Sequence, residues 1–156
     1  MVVWLFSSKN FENLKVAQEH LMWAFWDRGV GKKQRENWRA FIRMFNRIRP
    51  FDIALFQIAR TGKIYGIGIV KQTYYDDQTP VWPEEIKNKR VLFPWRVELA
   101  MFLLSRVPLS TRFISIENYL DGYGIAEVPE HYFRSILNEV LQRLQEQNMS
   151  LNIFSQ

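Results

Sequence analysis

Asp52-Ile53-Ala54-Leu55-Phe56-Gln57-Ile58-Ala59-Arg60-Thr61-Gly62-Lys63-Ile64-Tyr65-Gly66-Ile67-Gly68-Ile69-Val70 decides the fold class. Ile53, Leu55 and Gln57 alternate with Ala54, Phe56 and Ile58, the two-residue period of a strand over Asp52 to Ala59. Arg60 to Lys63 has the composition of a hairpin turn, and Ile64 to Val70 returns as the partner strand. Gly66 and Gly68 mark close backbone approach or a bend. Such a hairpin builds antiparallel sheet, and the segments around it are helical, so the chain reads as α+β: a small barrel with helices outside it.

Working outward, Val2 to Phe6 reads as a buried first strand. Asn10 to His20 reads as a helix, with Phe11, Leu14 and Val16-Ala17 on one face and Asn10 and Asn13 near its start, where short polar side chains cap. Trp23 to Gly31 reads as a loop. Lys33 to Arg47 reads as a second helix, striped by Trp38, Phe41-Ile42, Phe45 and Ile48 and ended by Pro50. Beyond the hairpin, Tyr74 to Ile86 reads as a polar loop, and Val91 to Leu99 as a strand with Pro94 at a bulge or edge. Residues 100–116 are strand or short turns. Pro129 to Gln145 forms the last helix, and Met149 to Gln156 is a tail or the start of a linker, outside a single domain over residues 1–148.

Composition narrows the function classes. At 156 residues and 47% hydrophobic content, the chain buries a core and is not disordered. It holds no cysteine, which excludes disulfides, thiolate metal sites and cysteine nucleophiles; its two histidines, His20 and His131, lie far apart, so no metal or cofactor is expected. No stretch reaches the about 18 apolar residues of a membrane span, and the start lacks a signal-peptide pattern, so a cytoplasmic protein is expected. The net charge of +5 is concentrated: residues 32–49 hold Lys32, Lys33, Arg35, Arg39, Arg43, Arg47 and Arg49 against Glu36 alone. Arg35, Arg39, Arg43 and Arg47 recur every four residues, which stacks them in one row along a helix. That row is either a solvated face or a phosphate-binding surface, with Lys32 and Lys33 at its start.

Two tryptophans stand apart from the regular stripes that place Trp4, Trp38 and Trp95 in the core. Trp23 follows the first helix in His20-Leu21-Met22-Trp23-Ala24-Phe25-Trp26, and Trp82 lies between prolines in Thr79-Pro80-Val81-Trp82-Pro83. Each is either a lid or anchor of the core or one half of a stacking slot, in which two facing rings sandwich a flat base. No nucleophile or general base stands out beside them, so no catalytic residue is nominated. Asp76-Asp77 with Glu84-Glu85 lacks further ligands for a metal, and Gly29-Val30-Gly31-Lys32-Lys33 lacks the spacing of a P-loop.

The order of motifs resembles the EVE domain of the PUA-like superfamily, which is related to the YTH readers of methylated adenine. The resemblance is carried by Trp4-Leu5-Phe6-Ser7-Ser8-Lys9-Asn10-Phe11-Glu12-Asn13, by Trp23, by Lys63 to Val70, by Tyr75-Asp76-Asp77 with Pro80-Val81-Trp82-Pro83, and by Phe93-Pro94-Trp95-Arg96-Val97. It is thinner after residue 99, where Val128-Pro129-Glu130-His131-Tyr132-Phe133 is similar to the family's closing helix. The resemblance implies a PUA-like small barrel and a pocket for a flipped, modified base. Trp23 and Trp82 would be cage walls, Asn13 a contact to the base edge (or a helix cap), and Ser7 and Ser8 part of the lining. Trp26, Tyr75 or Ile86 would supply a third wall. The chain is also similar to the N-terminal readers of archaeal McrB-type restriction proteins, which implies modified DNA as ligand and a motor domain and a nuclease subunit as partners. A PUA-like RNA-binding module and a module for a free flat ligand or a protein remain the alternatives.

Overall fold

The computed structural model describes residues 1–27, 37–110, 119–120, 123–143 and 149–153. Seven strands form one sheet: β1 (Val3–Ser8), β2 (Met22–Phe25), β3 (Ile53–Ile58), β4 (Lys63–Tyr75), β5 (Trp95–Ser105), β6 (Ile125–Glu127) and β7 (Met149–Ile153). Among the described residues four helices accompany it: α1 (Phe11–His20), α2 (Trp38–Arg47), α3 (Pro83–Asn88) and α4 (Glu130–Arg143). The strand order is β2-β5-β4-β3-β1-β6, and the sheet curls into a half-barrel, so the expected α+β small-barrel class is the observed one. The hairpin pairs as read, with Ile53 opposite Ile69 and Ile58 opposite Lys63. β1 lies parallel to β3, an arrangement that requires the long crossover through α1, β2 and α2.

Alternation along the central strands divides the core. Trp4 and Phe6 of β1 join Trp23, Phe25, Phe41, Phe45, Phe56 and Phe102 in an aromatic layer. Val3 and Leu5 point the other way, to Leu55, Ile64 and the Ile136 and Val140 face of α4. With both faces covered, Val3 to Phe6 of β1 have no polar side to show and form an unbroken apolar run. The glycines of β4 make room for this layer: a Cβ on Gly66 would stand 2.8 Å from the Phe102 ring. Asp52, 2% exposed, anchors the entry to the sheet. Its carboxylate accepts the Val2 and Arg49 N–H groups and the indole N–H of Trp4 at 2.9 to 3.0 Å.

Four local expectations are corrected. Trp23 is not in a loop. Leu21 closes α1 in the left-handed region (φ 51), and the chain passes straight into β2, whose Trp23, Ala24 and Phe25 are all buried. The strand expected over Val91 to Leu99 instead runs from Trp95 to Ser105, because Pro94 has no N–H and those of Leu92 and Phe93 go to the Glu85 carboxylate. Tyr74 and Tyr75 end β4, which bulges around Val70 and continues along β5; only then does the loop begin, and it closes in α3. Met149–Ile153, expected as tail or linker, is β7, which shares one edge of β5 with β2. Among the described residues no helix is long and apolar enough to cross a membrane.

Candidate functional site

One cavity of about 510 Å³ opens where β1 ends, α1 begins and α3 begins. It brings together Ser7, Ser8, Asn13, Trp23, Trp26 and Trp82 from four separate stretches of sequence. Asn10 is the helix cap: its side chain accepts the Asn13 N–H at 2.8 Å. That relieves Asn13 of the capping role and leaves its amide to line the cavity. Ser8 is spent locally, since its hydroxyl donates to the Asn10 carbonyl at 2.7 Å and accepts the Asn10 N–H at 3.3 Å. Ser7 accepts from the Gln57 amide, and its own N–H donates to the Gly124 carbonyl at 2.9 Å. Gly124 has φ +70, and a Cβ there would stand 3.1 Å from the Ser7 carbonyl oxygen, so only glycine fits beside this wall.

Trp23 and Trp82 are 6% and 3% exposed, with ring centroids 6.0 Å apart and planes at 88°. They do not face each other. A base between parallel rings needs about 7 Å, two van der Waals contacts; edge-to-face packing, which suits the ring quadrupoles, fills that space instead. The expected sandwich is therefore closed in this conformation, although both rings line the cavity. Trp23 is held on its strand and packs edge-on against Phe56 at 5.6 Å. Trp82 belongs to the loop, with Phe93 edge-on at 6.1 Å and the Arg96 guanidinium 5.8 Å from its ring centroid.

Of the nominated third walls, Trp26 lines the cavity and packs on Phe93 at 4.6 Å. Tyr75 and Ile86 do not line it. Tyr75 is paired in register with Trp95 and packs on that ring at 4.8 Å, while Ile86 is 61% exposed on α3. Phe93, Tyr119 and Tyr123 were missed as lining residues, and so were Lys9, Arg60 and Glu84, exposed side chains at the mouth. Lys9 was within reach of sequence reading, since it follows Ser7-Ser8 directly; the tyrosines come from beyond residue 116, where no pattern pointed to the pocket.

The basic row lies elsewhere. Arg39 and Arg43 are exposed on α2, and neither lines the cavity. Arg47 is engaged: it pairs with Glu127 at 3.0 Å and lies over the Trp4 ring. Lys32, Lys33 and Arg35 fall outside the described residues.

Two acidic residues of this segment, Asp76 and Glu85, are structural. Asp76 accepts the Gln78 and Thr79 N–H groups at 2.8 and 3.0 Å and pairs with Arg96 at 3.2 Å. Burial raises its pKa, but these hydrogen bonds and the Arg96 charge outweigh burial and hold the carboxyl below its ordinary range. Burial likewise raises the Tyr74 and Tyr75 hydroxyls. Glu85, wholly buried, accepts four backbone N–H groups, those of Val81, Trp82, Leu92 and Phe93. Sequence reading also missed α3, although Pro83 at its first position and Glu84-Glu85 in its first turn are the signal of a helix start.

The fold is similar to that of solved YTH domains. The Toxoplasma CPSF4 YTH domain, solved in complex with an m6A-modified RNA, superposes with a TM-score of 0.54 at 17% identity, covering 94% of this chain and 93% of that one. The Pho92 YTH domain in complex with m6A gives 0.54 at 16%, covering 95% and 87%. A hypothetical protein from Leishmania major gives 0.51 at 16%, covering 93% and 98%. At such identities the likeness is one of fold. No family model matches the chain. Its sequence is 52% identical over 137 residues to the uncharacterized protein MJ1369 of Methanocaldococcus jannaschii, covering 88% of each. The chain belongs to the same family as that archaeal protein.

Proposed function

We propose that this protein is a non-catalytic reader that takes a methylated base, N6-methyladenine first, out of its strand and into the cavity beside Trp23 and Trp82. The observation that carries the reading is the gathering of two tryptophans, the free Asn13 amide and Ser7 around one cavity of about 510 Å³. An amide donates and accepts at once, which suits an adenine edge. Stacking on an aromatic ring is worth roughly 1–3 kcal/mol per base, and a buried methyl about 0.8 kcal/mol. Because the tryptophans meet edge to face, insertion of a base between them requires one ring to turn. Trp82 is the ring that turns, about its own side-chain bonds while its backbone N–H stays on Glu85, and Trp23, on its strand, is the fixed wall.

Lys9 and Arg60 at the mouth, with Arg39 and Arg43 on α2, supply positive charge for the phosphates. RNA is favoured as the strand, because two of the similar structures hold m6A or m6A-modified RNA. The second reading is a DNA-recognition domain of a modification-dependent restriction system with motor and nuclease partners; the resemblance of the chain to the N-terminal readers of McrB-type restriction proteins supports it.

The test is fluorescence polarisation with a short RNA and the matching DNA, each unmodified, with N6-methyladenine and with 5-methylcytosine, at two salt concentrations. One modified strand is expected to bind preferentially, and Trp82→Ala to cut that preference by about tenfold, in the range of one lost stacking contact. An unchanged ratio of modified to unmodified affinity in Trp82→Ala would reject the aromatic slot. Tight binding of the free nucleoside alone would replace the reader with a small-ligand module.

A further inference from the structure

Arg96 and Glu85 are charged and almost wholly buried, and they meet at 3.4 Å directly behind Trp82. Burying an ion pair is a poor way to gain stability, since an apolar pair of similar volume does as well or better. What this pair does that an apolar pair would not is organise backbone. One carboxylate oxygen of Glu85 accepts the N–H groups of Val81 and Trp82; the other accepts those of Leu92 and Phe93. Arg96 donates from Nε to the Phe93 carbonyl, from Nη1 to Asp76, and from Nη2 to the Thr79 carbonyl and Glu85. Both ends of the segment that carries Trp82 are thereby tied to one side chain of β5. The residue next to Arg96 on β5, Val97, is the register partner of Trp23. The fixed and the movable tryptophan are therefore referenced to adjacent residues of a single strand.

We propose that the buried Arg96–Glu85 pair is the device that sets Trp82 against Trp23, so that Arg96 and Glu85 are positioning residues of the base slot. The pair acts through Trp82 and touches no phosphate. Its effect on binding rests on the base-reading proposal; its effect on Trp82 does not.

The test is Arg96→Lys in the full chain, alone and with Trp82→Ala, with Asp76→Asn as a milder variant at the more exposed end of the network. Lysine keeps the charge but loses the planar fork that spans four acceptors. Binding is read with an RNA carrying one N6-methyladenine and its unmodified twin. Amide hydrogen exchange of Val81 and Trp82 is read against the β3–β4 hairpin as internal reference. Arg96→Lys is expected to cut the modified-to-unmodified ratio by about tenfold, in the range of one lost stacking contact, with the salt slope unchanged, and to speed exchange at Val81 and Trp82 but not in the hairpin. In the Trp82→Ala background the same change is expected to alter the ratio no further. A wild-type ratio in folded Arg96→Lys, or a loss that adds in full to that of Trp82→Ala, would overturn the proposal. If the wild-type chain prefers no modified strand, base reading fails and exchange decides: selective acceleration upholds the positioning role, and unaltered exchange at Val81 and Trp82 rejects it. If Arg96→Lys does not fold, Asp76→Asn decides in its place, with a smaller loss of the same sign expected and wild-type behaviour rejecting the role.

Discussion

Asp52 shows what one buried carboxylate does in this protein. It accepts three N–H groups that join the chain start, the Trp4 indole and the end of α2. Asp52→Ala would strand those donors in a buried site, at about 1–3 kcal/mol for each one left unpaired. We expect a loss of about 3 kcal/mol in urea unfolding, and a smaller one for Asp52→Asn, which keeps an acceptor oxygen. A loss below about 0.5 kcal/mol, the level of an ordinary surface substitution, would mean that water replaces the carboxylate. Glu85 obeys the same rule at the slot: its value lies in the two oxygens it offers to four backbone donors.

At the scale of elements, the segment from the end of β4 to the start of β5 is held by charge. Asp76 has a folded-state pKa below its ordinary 3.8. A depressed carboxyl contributes stability that is complete above the unfolded value and is lost as pH falls through the folded one. The loop is therefore expected to stay closed at neutral pH and to open selectively below about pH 4. Tryptophan fluorescence and acrylamide quenching during acid titration would follow the opening. In Asp76→Asn the neutral amide removes this part of the acid transition, and a titration identical to the wild type would show that another group governs it.

At the scale of the molecule, the arginine row of α2 and the cavity are separated. The exposed arginines of α2 lie outside the cavity lining, so strand affinity and base preference are expected to respond to different substitutions. Arg39→Ala with Arg43→Ala is expected to weaken modified and unmodified strands alike. It should reduce the salt slope of binding to a single strand by about 1.4, two phosphate contacts' worth. A change in base preference without a change in slope would place these arginines at the base.

The sequence by itself determined the elements whose cause is local: the alternation and turn of the β3–β4 hairpin, the start of α1 and the apolar face of α4. It also determined which residue types gather at the cavity from the first strand, Asn13, Trp23 and Trp82, because these sit in motifs whose order is read along the chain. It did not determine the extent of β5 or the existence of β7, since edge pairing depends on which strands arrive, not on their own pattern. It misplaced Trp23 in a loop, because a four-residue strand buried on both faces has no period to detect. Tertiary structure alone decided that the two tryptophans meet edge to face, and that Tyr75 packs on Trp95 instead of the cavity. It alone converted Glu85, Arg96 and Asp76 from a scatter of surface-like charges into the buried frame behind Trp82. A charge is placed inside only where the folded backbone supplies enough partners to offset its desolvation, and that supply is a property of the assembled fold.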